Sequence, residues 1–268
     1  MYDVIIIGAG PAGITSSLYT VRANLKTLIF DKETSSVKTT PKVENYYGFE
    51  NGISGKELYE NGVKQAENLG VEVKKEEVVN IKIEEDIFIV QTLYKEFKAK
   101  SVILATGNKK NKPNIENIEK FEGKGVSYCA ICDGFFYRGK DVIVIGNGNY
   151  AESEAKELEP IVKSVKIVKE KVISIKGNDR VEEIELEDGT ILKTDGIFIA
   201  LGVAGSTDFA KKLGARVENN KIVVNEKMET TVKGLFACGD CTGGIYQISK
   251  AIYEGTVAGI SQLRKRIS

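Results

Sequence analysis

The sequence predicts an α/β protein of two domains, and three observations lead to that prediction. An apolar strand, a glycine-rich turn and a helix follow one another at the start of the chain, and the same order recurs near its middle. The 27 glycines are dispersed among 268 residues, of which 42% are hydrophobic, as expected for a soluble α/β protein. The second unit lacks the crossover helix that a further parallel strand would need. We therefore expect a nucleotide-binding domain into which a shorter, similar domain is inserted.

Composition restricts the function before any motif is considered. Lysine plus arginine and aspartate plus glutamate number 38 each, so net charge favours neither a nucleic acid nor a membrane as a partner. No apolar run is long enough to cross a bilayer, and the chain starts directly with a strand, so we expect a cytoplasmic protein. Histidine is absent, which excludes a cysteine–histidine nucleophile pair, histidine-bound zinc and a histidine base.

The first nucleotide unit begins with a continuous apolar strand over residues 2–7, typical of a buried parallel sheet. The next turn has the pattern G-x-G-x-x-G and leads into a helix that we expect to end near residue 21. One glycine makes the turn, one lets a pyrophosphate approach the backbone, and one lets helix and strand pack closely. The candidate binding residues in this turn are Gly8, Gly10, Pro11, Ala12 and Gly13. A second strand, residues 26–30, ends at Asp31, an acid suited to the two ribose hydroxyls of an adenosine.

The remainder of the first domain is predicted as one helix and several strands. The helix covers residues 55–69, and the strands lie near 71–74, 78–83, 87–92 and 96–98. A further strand begins at residue 101 and ends in the small-residue turn Ala105-Thr106-Gly107. The stretch 108–113 is polar, basic and ends in proline, so we interpret it as the crossing into the inserted domain.

Two cysteines, Cys129 and Cys132, are separated by two residues, and Asp133 follows directly. This spacing lets two sulfurs form a disulfide at a helix N-terminus, where the helix dipole lowers a thiol pKa. Asp133 is a candidate proton donor and acceptor for a leaving thiolate, or alternatively an acid of the first helical turn. A second pair, Cys238 and Cys241, raises the alternative of a four-cysteine zinc site. We favour a redox dithiol at the first pair and small buried side chains at the second.

The second nucleotide-type unit follows the first cysteine pair. A strand over 140–145 leads into a G-x-G-x-x-A turn at 146–151 and a helix that we expect to end near residue 159. A strand at 164–168 is followed almost at once by another at 171–176 and by a hairpin at 181–192. Because no crossover helix separates these strands, a further parallel strand cannot be built here.

A strand at 196–202 ends in a tight turn, after which the chain returns to the first domain. A later strand delivers Gly239 and Asp240, a carboxylate suited to a chain of sugar-like hydroxyls. An amphipathic helix over about 246–260 closes the fold. The expected domains are 1–112 and 202–268 for the nucleotide-binding part and 113–201 for the inserted part.

Four motifs, taken in this order, resemble the low-molecular-weight flavin thioredoxin reductases. They are the glycine turn 8–13, Ala105-Thr106-Gly107, the run Cys129-Ala130-Ile131-Cys132-Asp133-Gly134-Phe135-Phe136-Tyr137, and Leu235-Phe236-Ala237-Cys238-Gly239-Asp240. The resemblance covers nearly the whole chain, and the cysteine run is its most specific part. It implies a two-domain flavin disulfide reductase: a Rossmann-like FAD domain with an inserted, truncated nucleotide-binding-like domain that carries the C-x-x-C. It also implies a homodimer, an inserted domain that rotates, and thioredoxin as the partner.

The resemblance further implies roles for individual residues. The residues implied to bind FAD are Gly8, Gly10, Pro11, Ala12, Gly13, Asp31, Asn45, Ala105, Thr106, Gly107, Gly239, Asp240, Gln247 and Ile248. Asp240 would contact the ribityl and pyrophosphate portion, and Gln247 and Ile248 the flavin ring. Cys132 would be the cysteine nearer the flavin, and Cys129 the one that attacks the thioredoxin disulfide.

The chain departs from this family where NADPH would bind. Lys169-Glu170-Lys171 stands in place of the family's histidine-and-arginine motif, and the helix and strand that should follow are missing. A 2′-phosphate normally needs arginines held in a fork geometry. This combination resembles the ferredoxin-dependent flavin thioredoxin reductases, which implies a reduced iron–sulfur protein as the electron donor. A second departure is Ser35-Ser36-Val37, where the family usually has a glycine pair and a glutamine near the flavin.

Other functions compete with this one. An NADH- or NADPH-dependent thioredoxin reductase would use the turn at 146–151 together with Glu170. A flavin-dependent dithiol oxidase would act on a small molecule with oxygen, and a flavin-binding regulatory protein would need no dithiol. A set of lysines is either a basic face for an acidic ferredoxin or ordinary solvated surface. They are Lys109, Lys110, Lys112, Lys163, Lys166, Lys169 and Lys171.

Overall fold

A computed structural model describes residues 1–107, 113–128, 130–201 and 205–264. The chain divides into two compact units, one of residues Met1–Lys109 and Gly205–Ser268, the other of residues Lys110–Ala204. Both combine helices with a parallel sheet, so the predicted α/β class is confirmed. In the described residues, no helix has both the length and the apolar character needed to cross a membrane.

The first unit is built on one mixed sheet. Its strands are β1 (Tyr2–Ile7), β2 (Thr27–Phe30), β3 (Glu72–Lys74), β4 (Val78–Glu84), β5 (Ile87–Thr92), β6 (Glu96–Leu104) and β16 (Leu235–Ala237), with a separate small pair β14 (Val217–Glu218) and β15 (Lys221–Ile222). Its helices are α1 (Pro11–Arg22), α2 (Gly55–Asn68), α6 (Ser206–Lys212) and α7 (Ile248–Arg264). The strand order β3-β2-β1-β6 is parallel throughout, and β4 and β5 add an antiparallel meander to β6.

The register of the parallel strands brings their carboxyl ends to one edge. Ile7 of β1 lies opposite Phe30 of β2 and Leu104 of β6, and Ala237 of β16 lies opposite Leu104 as well. The residues that follow these strands therefore meet at one edge of the sheet, where ligands bind in open α/β sheets. The separate strands expected at 96–98 and from residue 101 are wrong, because β6 runs unbroken from Glu96 to Leu104. Its first half pairs with the meander and its second half with β16.

Close backbone packing joins α1 to α7 above this sheet. A Cβ placed on Gly255 of α7 would lie 2.3 Å from the Ala12 carbonyl oxygen, and one placed on Gly259 would lie 2.7 Å from that of Ser16. Only glycine permits such an approach, so the sequence of α7 fixes how near the two helices lie.

The second unit contains a four-stranded parallel sheet and a three-stranded antiparallel sheet. The strands are β7 (Val126–Ser127), β8 (Asp141–Ile145), β9 (Ser164–Val168), β10 (Val172–Lys176), β11 (Glu183–Leu186), β12 (Ile191–Lys193) and β13 (Gly196–Ile199). The helices are α3 (Ile118–Phe121), α4 (Ala130–Asp133) and α5 (Asn149–Leu158). The parallel sheet has the order β7-β13-β8-β9, and the antiparallel one β10-β11-β12.

The parallel sheet of the second unit ends at β9. Within the described part of the chain, β9 pairs with β8 alone, and after a connection of three residues the chain starts the antiparallel sheet. A parallel neighbour would need a crossover of a dozen or more residues. As predicted, the described strands between residues 169 and 193 add no parallel strand next to β9; the next parallel strand, β13, pairs with β7 and β8 instead.

Candidate functional site

The N-terminus of α1 is open towards a cleft. Gly10 caps this helix without any side-chain capping hydrogen bond, and no acidic residue lies in the first turn. A Cβ on Gly8 would lie 2.5 Å from the Ala105 oxygen and one on Gly13 would lie 1.9 Å from the Gly8 oxygen, so these two glycines serve packing. A Cβ on Gly10 would meet only Ser35 Oγ within 4 Å, at 3.6 Å. The free side of Gly10 thus leaves room for an anionic group at the helix N-terminus.

The acid at the end of β2 is buried and already partly engaged. Asp31 is 4% exposed, and its two carboxylate oxygens accept hydrogen bonds from the backbone N–H of Glu33, at 2.7 Å, and from the hydroxyl of Tyr59. Burial and this hydrogen bond raise the pKa of Tyr59, so the phenol remains a donor. Each carboxylate oxygen keeps a further lone pair for a ribose hydroxyl.

The turn after β6 is held by a reciprocal pair of hydrogen bonds. Thr106 N–H donates to Ser206 Oγ at 3.0 Å, and Ser206 N–H donates to Thr106 Oγ1 at 2.7 Å. The two hydroxyls also lie 2.8 Å apart. Thr106 and its neighbours Ala105 and Gly107 are therefore fixed against the N-terminus of α6 at the same edge of the sheet as the α1 turn.

The turn after β16 is fixed by an ion pair on α7. Lys250 Nζ donates to the Gly239 carbonyl oxygen at 2.8 Å and to Thr242 Oγ1 at 2.9 Å, and it lies 3.0 Å from Glu254 Oε2. The same Glu254 oxygen accepts from Gly239 N–H and from Thr242 Oγ1, each at 2.8 Å. Burial raises the pKa of the Asp240 carboxyl, and the Lys250 ammonium opposes that shift. The network fixes the position of Asp240.

Two residues far apart in sequence meet beside this cleft. Asn45 Nδ2 donates to Gln247 Oε1 at 3.1 Å. A cavity of about 500 Å³ adjoins them, and its lining includes Gly10, Pro11 and Ile248. That volume lies within the range of cofactor sites. Of the candidate binding residues, only Gly10, Pro11 and Ile248 line this cavity; Asp31, Thr106 and Asp240 do not.

The structure describes only part of the predicted redox pair, Cys129 and Cys132. Cys129 and the side chain of Cys132 lie outside the described residues. The intervening backbone forms α4, a single turn that begins at Ala130. Asp133, at the end of this turn, accepts a hydrogen bond of 2.7 Å from Ser127 Oγ. On the other side of the turn, Ala130 N–H donates to Glu154 Oε2 of α5 at 2.8 Å.

The second cysteine pair lies in the core of the first unit. Cys238 and Cys241 are free thiols with at most 1% of their surface exposed. Cys241 Sγ donates to the carbonyl oxygens of Leu104, at 3.5 Å, and Cys238, at 3.3 Å. Burial raises the pKa of Cys241 to about 12 and that of Cys238 well above its ordinary value. Such thiols are unreactive and act as small core residues.

The nucleotide-like turn of the second unit differs from that of the first. Gly148 caps α5 without a side-chain hydrogen bond, as Gly10 caps α1, but α5 carries Glu152 in its first turn. A carboxylate there opposes an anionic ligand. At the end of β9, the Glu170 carboxylate accepts a hydrogen bond from the Lys169 N–H at 3.0 Å.

The model of the family described as pyridine nucleotide-disulphide oxidoreductase matches residues 2–172 and 162–255. The thioredoxin reductase of Bacillus subtilis (strain 168) is 34% identical over 296 residues, which cover 97% of this chain and 93% of the relative. The chain belongs to the pyridine nucleotide-disulphide oxidoreductase family, among its thioredoxin reductases. The alignment is longer than the 268 residues of this chain, so the relative contains segments that have no counterpart here.

Two solved thioredoxin reductase structures match the chain in length as well. The atypical thioredoxin reductase TRi from Desulfovibrio vulgaris Hildenborough has a TM-score of 0.91 and 36% identity, with 99% of both chains covered. A ferredoxin-flavin thioredoxin reductase from Clostridium acetobutylicum has a TM-score of 0.74 and 35% identity, with 99% of this chain and 98% of the other covered. The recognition of this family from its four motifs is confirmed.

FAD is the cofactor of this thioredoxin reductase family, and this chain is a flavoprotein and a disulfide oxidoreductase. The first unit fits that cofactor. The open face of Gly10 suits a pyrophosphate, and the Asp31 carboxylate at the end of β2 keeps lone pairs for ribose hydroxyls.

Sequence reasoning missed the supporting residues Tyr59, Ser206, Lys250, Glu254 and Glu154. One of them carries a signal that could have been read. Glu154 lies in the buried stripe of α5 formed with Tyr150, Ala151, Ala155 and Leu158, and a carboxylate in such a stripe needs a partner. The other four can be recognised only when their partners are placed in space.

Proposed function

We propose that this chain is a flavoenzyme that passes electrons through FAD and a Cys129–Cys132 disulfide to thioredoxin, and that reduced ferredoxin is the electron donor. The observation that carries the choice of donor is the end of the parallel sheet at β9. A dinucleotide site of this kind is built from strands on both sides of the binding turn, with an acid or an arginine after the second strand. Here the second strand is the last one in the described part of the sheet.

Three further features support a protein donor. Glu152 adds negative charge to the first turn of α5, which weakens the attraction of that helix N-terminus for a pyrophosphate. The chain matches a ferredoxin-flavin thioredoxin reductase over nearly the full length of both chains. The sequence offers no arginine fork after β9, where Lys169, Glu170 and Lys171 follow instead.

In the proposed cofactor site, the N–H groups at the N-terminus of α1 hold the pyrophosphate, and Asp31 accepts from the ribose hydroxyls. Asp240 accepts from the ribityl chain. Asn45, Gln247 and Ile248 lie against the flavin ring, with Asn45 and Gln247 held together by their own hydrogen bond. The remaining proposed contacts are backbone contacts of Gly8, Gly13, Ala105, Thr106, Gly107 and Gly239 and of Pro11 and Ala12. FAD supplies one chemical capability: it accepts electrons singly or in pairs.

In the dithiol reaction, the Cys129–Cys132 disulfide takes up two electrons and two protons and becomes two thiols. The Cys129 thiolate then attacks one sulfur of the thioredoxin disulfide, and the other thioredoxin sulfur leaves and takes a proton. The Cys132 thiolate displaces the bound sulfur, which also takes a proton, so that the enzyme regains its disulfide and thioredoxin departs as a dithiol. Asp133, held by Ser127, is proposed to donate and accept the proton of the leaving thiolate.

An exposed aromatic pair directly after α4 supports a protein substrate. Phe135 is 62% exposed and Phe136 is 74% exposed. Two adjacent exposed aromatic rings, close in sequence to a redox dithiol, are suited to bind the surface of a protein substrate. We also propose that the enzyme works as a homodimer in the cytoplasm.

The proposed basic surface for ferredoxin is smaller than the sequence suggested. Lys109, Lys110 and Lys112 lie outside the described residues. Lys163 is paired with Asp141 at 2.9 Å and Lys171 with Glu187 at 2.5 Å. Exposed Lys166 and Lys169 remain as candidates for electrostatic steering.

The deciding experiment is anaerobic titration of the oxidised flavoenzyme with reduced ferredoxin, NADH and NADPH, followed by flavin absorbance. We expect ferredoxin to bleach the flavin fully, and both nicotinamide coenzymes to leave it oxidised. Bleaching by either coenzyme at micromolar concentration would establish the second candidate, a pyridine-nucleotide-dependent enzyme, which the uncapped N-terminus of α5 favours. The variant Cys129→Ser separates the two halves of the reaction: its flavin should still be reduced, and its turnover of thioredoxin should be lost.

A further inference from the structure

The Tyr59 side chain connects α2 to the end of β2. Its hydroxyl donates to Asp31 Oδ2, and the Glu33 N–H donates to Oδ1 of the same carboxyl group at 2.7 Å. Tyr59 and Asp31 are 28 positions apart in the sequence, and they are buried, with 8% and 4% of their surface exposed. The carboxyl group is therefore held at both oxygens, once by its own turn and once by a helix from a later segment.

Close packing at the start of α2 brings Tyr59 to this carboxyl group. A Cβ placed on Gly55 would lie 1.9 Å from the Val37 carbonyl oxygen and 2.7 Å from that of Thr40, so only glycine permits this approach. Tyr59 is four residues further along α2, on the same face of the helix as Gly55. Both residues therefore face the segment that follows β2.

A lysine of that segment contacts both the phenol ring and the turn at Asp31. Lys38 Nζ lies 5.2 Å from the centroid of the Tyr59 ring and 3.4 Å from Glu33 Oε1. A cation at this distance over an aromatic face is attracted to the ring. Lys75 Nζ lies 3.1 Å from the same Glu33 oxygen. The turn after β2 and the Tyr59 ring therefore share a contact besides their hydrogen bond.

Packing alone does not explain the hydroxyl of Tyr59. A phenylalanine would fill the same buried space without a polar group that needs a partner. The partner of this hydroxyl is the acid at the carboxyl end of β2, the edge of the sheet where ligands bind. A carboxyl group that is already held in one orientation loses less freedom when a ligand binds, and this strengthens binding. Each of its oxygens keeps a further acceptor position, as two neighbouring ribose hydroxyls require.

We propose that Tyr59 is a positioning residue for FAD: its hydroxyl holds the Asp31 carboxyl group in the orientation that accepts from the ribose hydroxyls of the adenosine. Recognition of the adenosine then depends on α2 as well as on β2. This inference rests on the proposed function, because it assumes that Asp31 binds the ribose. It deepens that function by adding a residue that lies outside both the glycine turn and the acid after β2.

The test removes one hydroxyl from the protein and one from the ligand. Tyr59→Phe is compared with Tyr2→Phe, which removes a phenol that donates to Glu72 Oε2 at 2.6 Å near the amino end of β1. Each apoprotein is titrated with FAD and with two analogues that lack the 2′- or the 3′-hydroxyl of the adenosine ribose, and flavin fluorescence reports binding. We expect Tyr59→Phe to weaken FAD binding about tenfold and the binding of at least one analogue by less than about twofold. Tyr2→Phe should leave all three affinities unchanged.

A purely structural role of Tyr59 predicts a different result. Its loss would then weaken the binding of FAD and of both analogues by the same factor, and that outcome, or an unchanged FAD affinity in Tyr59→Phe, would overturn the proposal. Urea denaturation of each apoprotein checks that it is folded, and Tyr59→Met supplies the same comparison if Tyr59→Phe is not. If the wild-type protein bound both analogues as tightly as FAD, Asp31 would not bind the ribose, and that part of the proposed function would be wrong. The titrations use neither ferredoxin nor thioredoxin, so an error in the choice of donor leaves them unaffected.

Discussion

The turn between β1 and α1 and the turn between β8 and α5 have the same local structure. Each follows a buried parallel strand, and each helix starts at a glycine that gives no side-chain cap. Around the first turn, β2 is flanked by β3 and ends at buried Asp31. Around the second, β9 has β8 as its neighbour in the described sheet, and Glu152 lies in the first turn of the helix.

The difference between the two turns shows that the glycine pattern alone allows a helix to pack closely on a strand. It does not by itself show that the turn binds a ligand. Gly146 illustrates this, since a Cβ there would lie 2.3 Å from the Ala200 oxygen and 2.8 Å from the Ala151 Cβ. These contacts lie inside the second unit, so Gly146 is needed for packing whether or not the turn binds a ligand. A dinucleotide needs further groups: an adjacent strand, an acid or arginine at its end, and a first helical turn without negative charge.

The largest expected effect comes from filling the middle glycine of each turn. Gly10 and Gly148 both have negative φ, which a valine can adopt. Gly10→Val places its side chain where the pyrophosphate would lie, so we expect FAD affinity to fall by at least about 100-fold, or roughly 2.7 kcal/mol. Gly148→Val should leave FAD content and ferredoxin-driven turnover within about twofold of wild type, since the second turn is proposed to hold no nucleotide. Fluorescence titration of the apoprotein with FAD measures the first effect and steady-state assays the second. A Gly148→Val enzyme with lost turnover but normal FAD content would mean that the second turn does bind a ligand.

The sequence predicts most of the features on which this comparison depends, because they are local. The glycine turns, the strands before them, the hairpin after residue 181 and the short connection after β9 all follow from spacing and from which residues can turn. The length of β6 could not be predicted, because one strand changes partners along its course. The roles of Tyr59, Lys250 and Glu254 could not be predicted for a similar reason: each acts through a residue that helix packing brings close to it.

An intermediate effect is expected from the ion pair on α7. Lys250 and Glu254 are 13% and 12% exposed, and together they hold the turn that carries Asp240. Lys250→Met removes one partner and leaves the other carboxylate poorly solvated, so we expect a loss of about 2 kcal/mol in the free energy of unfolding and about tenfold weaker FAD binding. Urea denaturation of the apoprotein and FAD titration measure the two effects.

The matched control for this pair lies in the other unit. Lys163→Met breaks the exposed pair with Asp141, and screening by solvent should leave the urea midpoint and FAD binding unchanged. Adding Glu254→Gln to Lys250→Met should restore part of the lost stability, because a neutral amide oxygen can still accept from Gly239 N–H. Equal losses from Lys250→Met and Lys163→Met would show that the α7 pair has no special role in the cofactor site.

The smallest effect is expected where the two cysteine pairs are compared. Cys238 and Cys241 are buried and their pKa values are raised by burial, that of Cys241 to about 12, so both stay protonated in the folded protein at pH 8. A thiol reagent should therefore modify only two cysteines of the native enzyme after reduction with dithiothreitol, and all four once the reduced chain is unfolded. Cys241→Ala should cost about 1 kcal/mol of stability and leave turnover unchanged.

The raised pKa values of this pair also predict the sign of a pH effect. Unfolded thiols ionise above about pH 8.5, while the buried ones resist ionisation until a much higher pH. The unfolded state therefore binds fewer protons than the folded state in this window, and the urea midpoint should fall as the pH rises from about 8.5 towards 12. A Cys238→Ala, Cys241→Ala double variant should fall less steeply over the same range. Identical slopes would mean that the pair ionises equally in both states, and rapid modification of Cys238 in the native enzyme would mean that it is reactive after all.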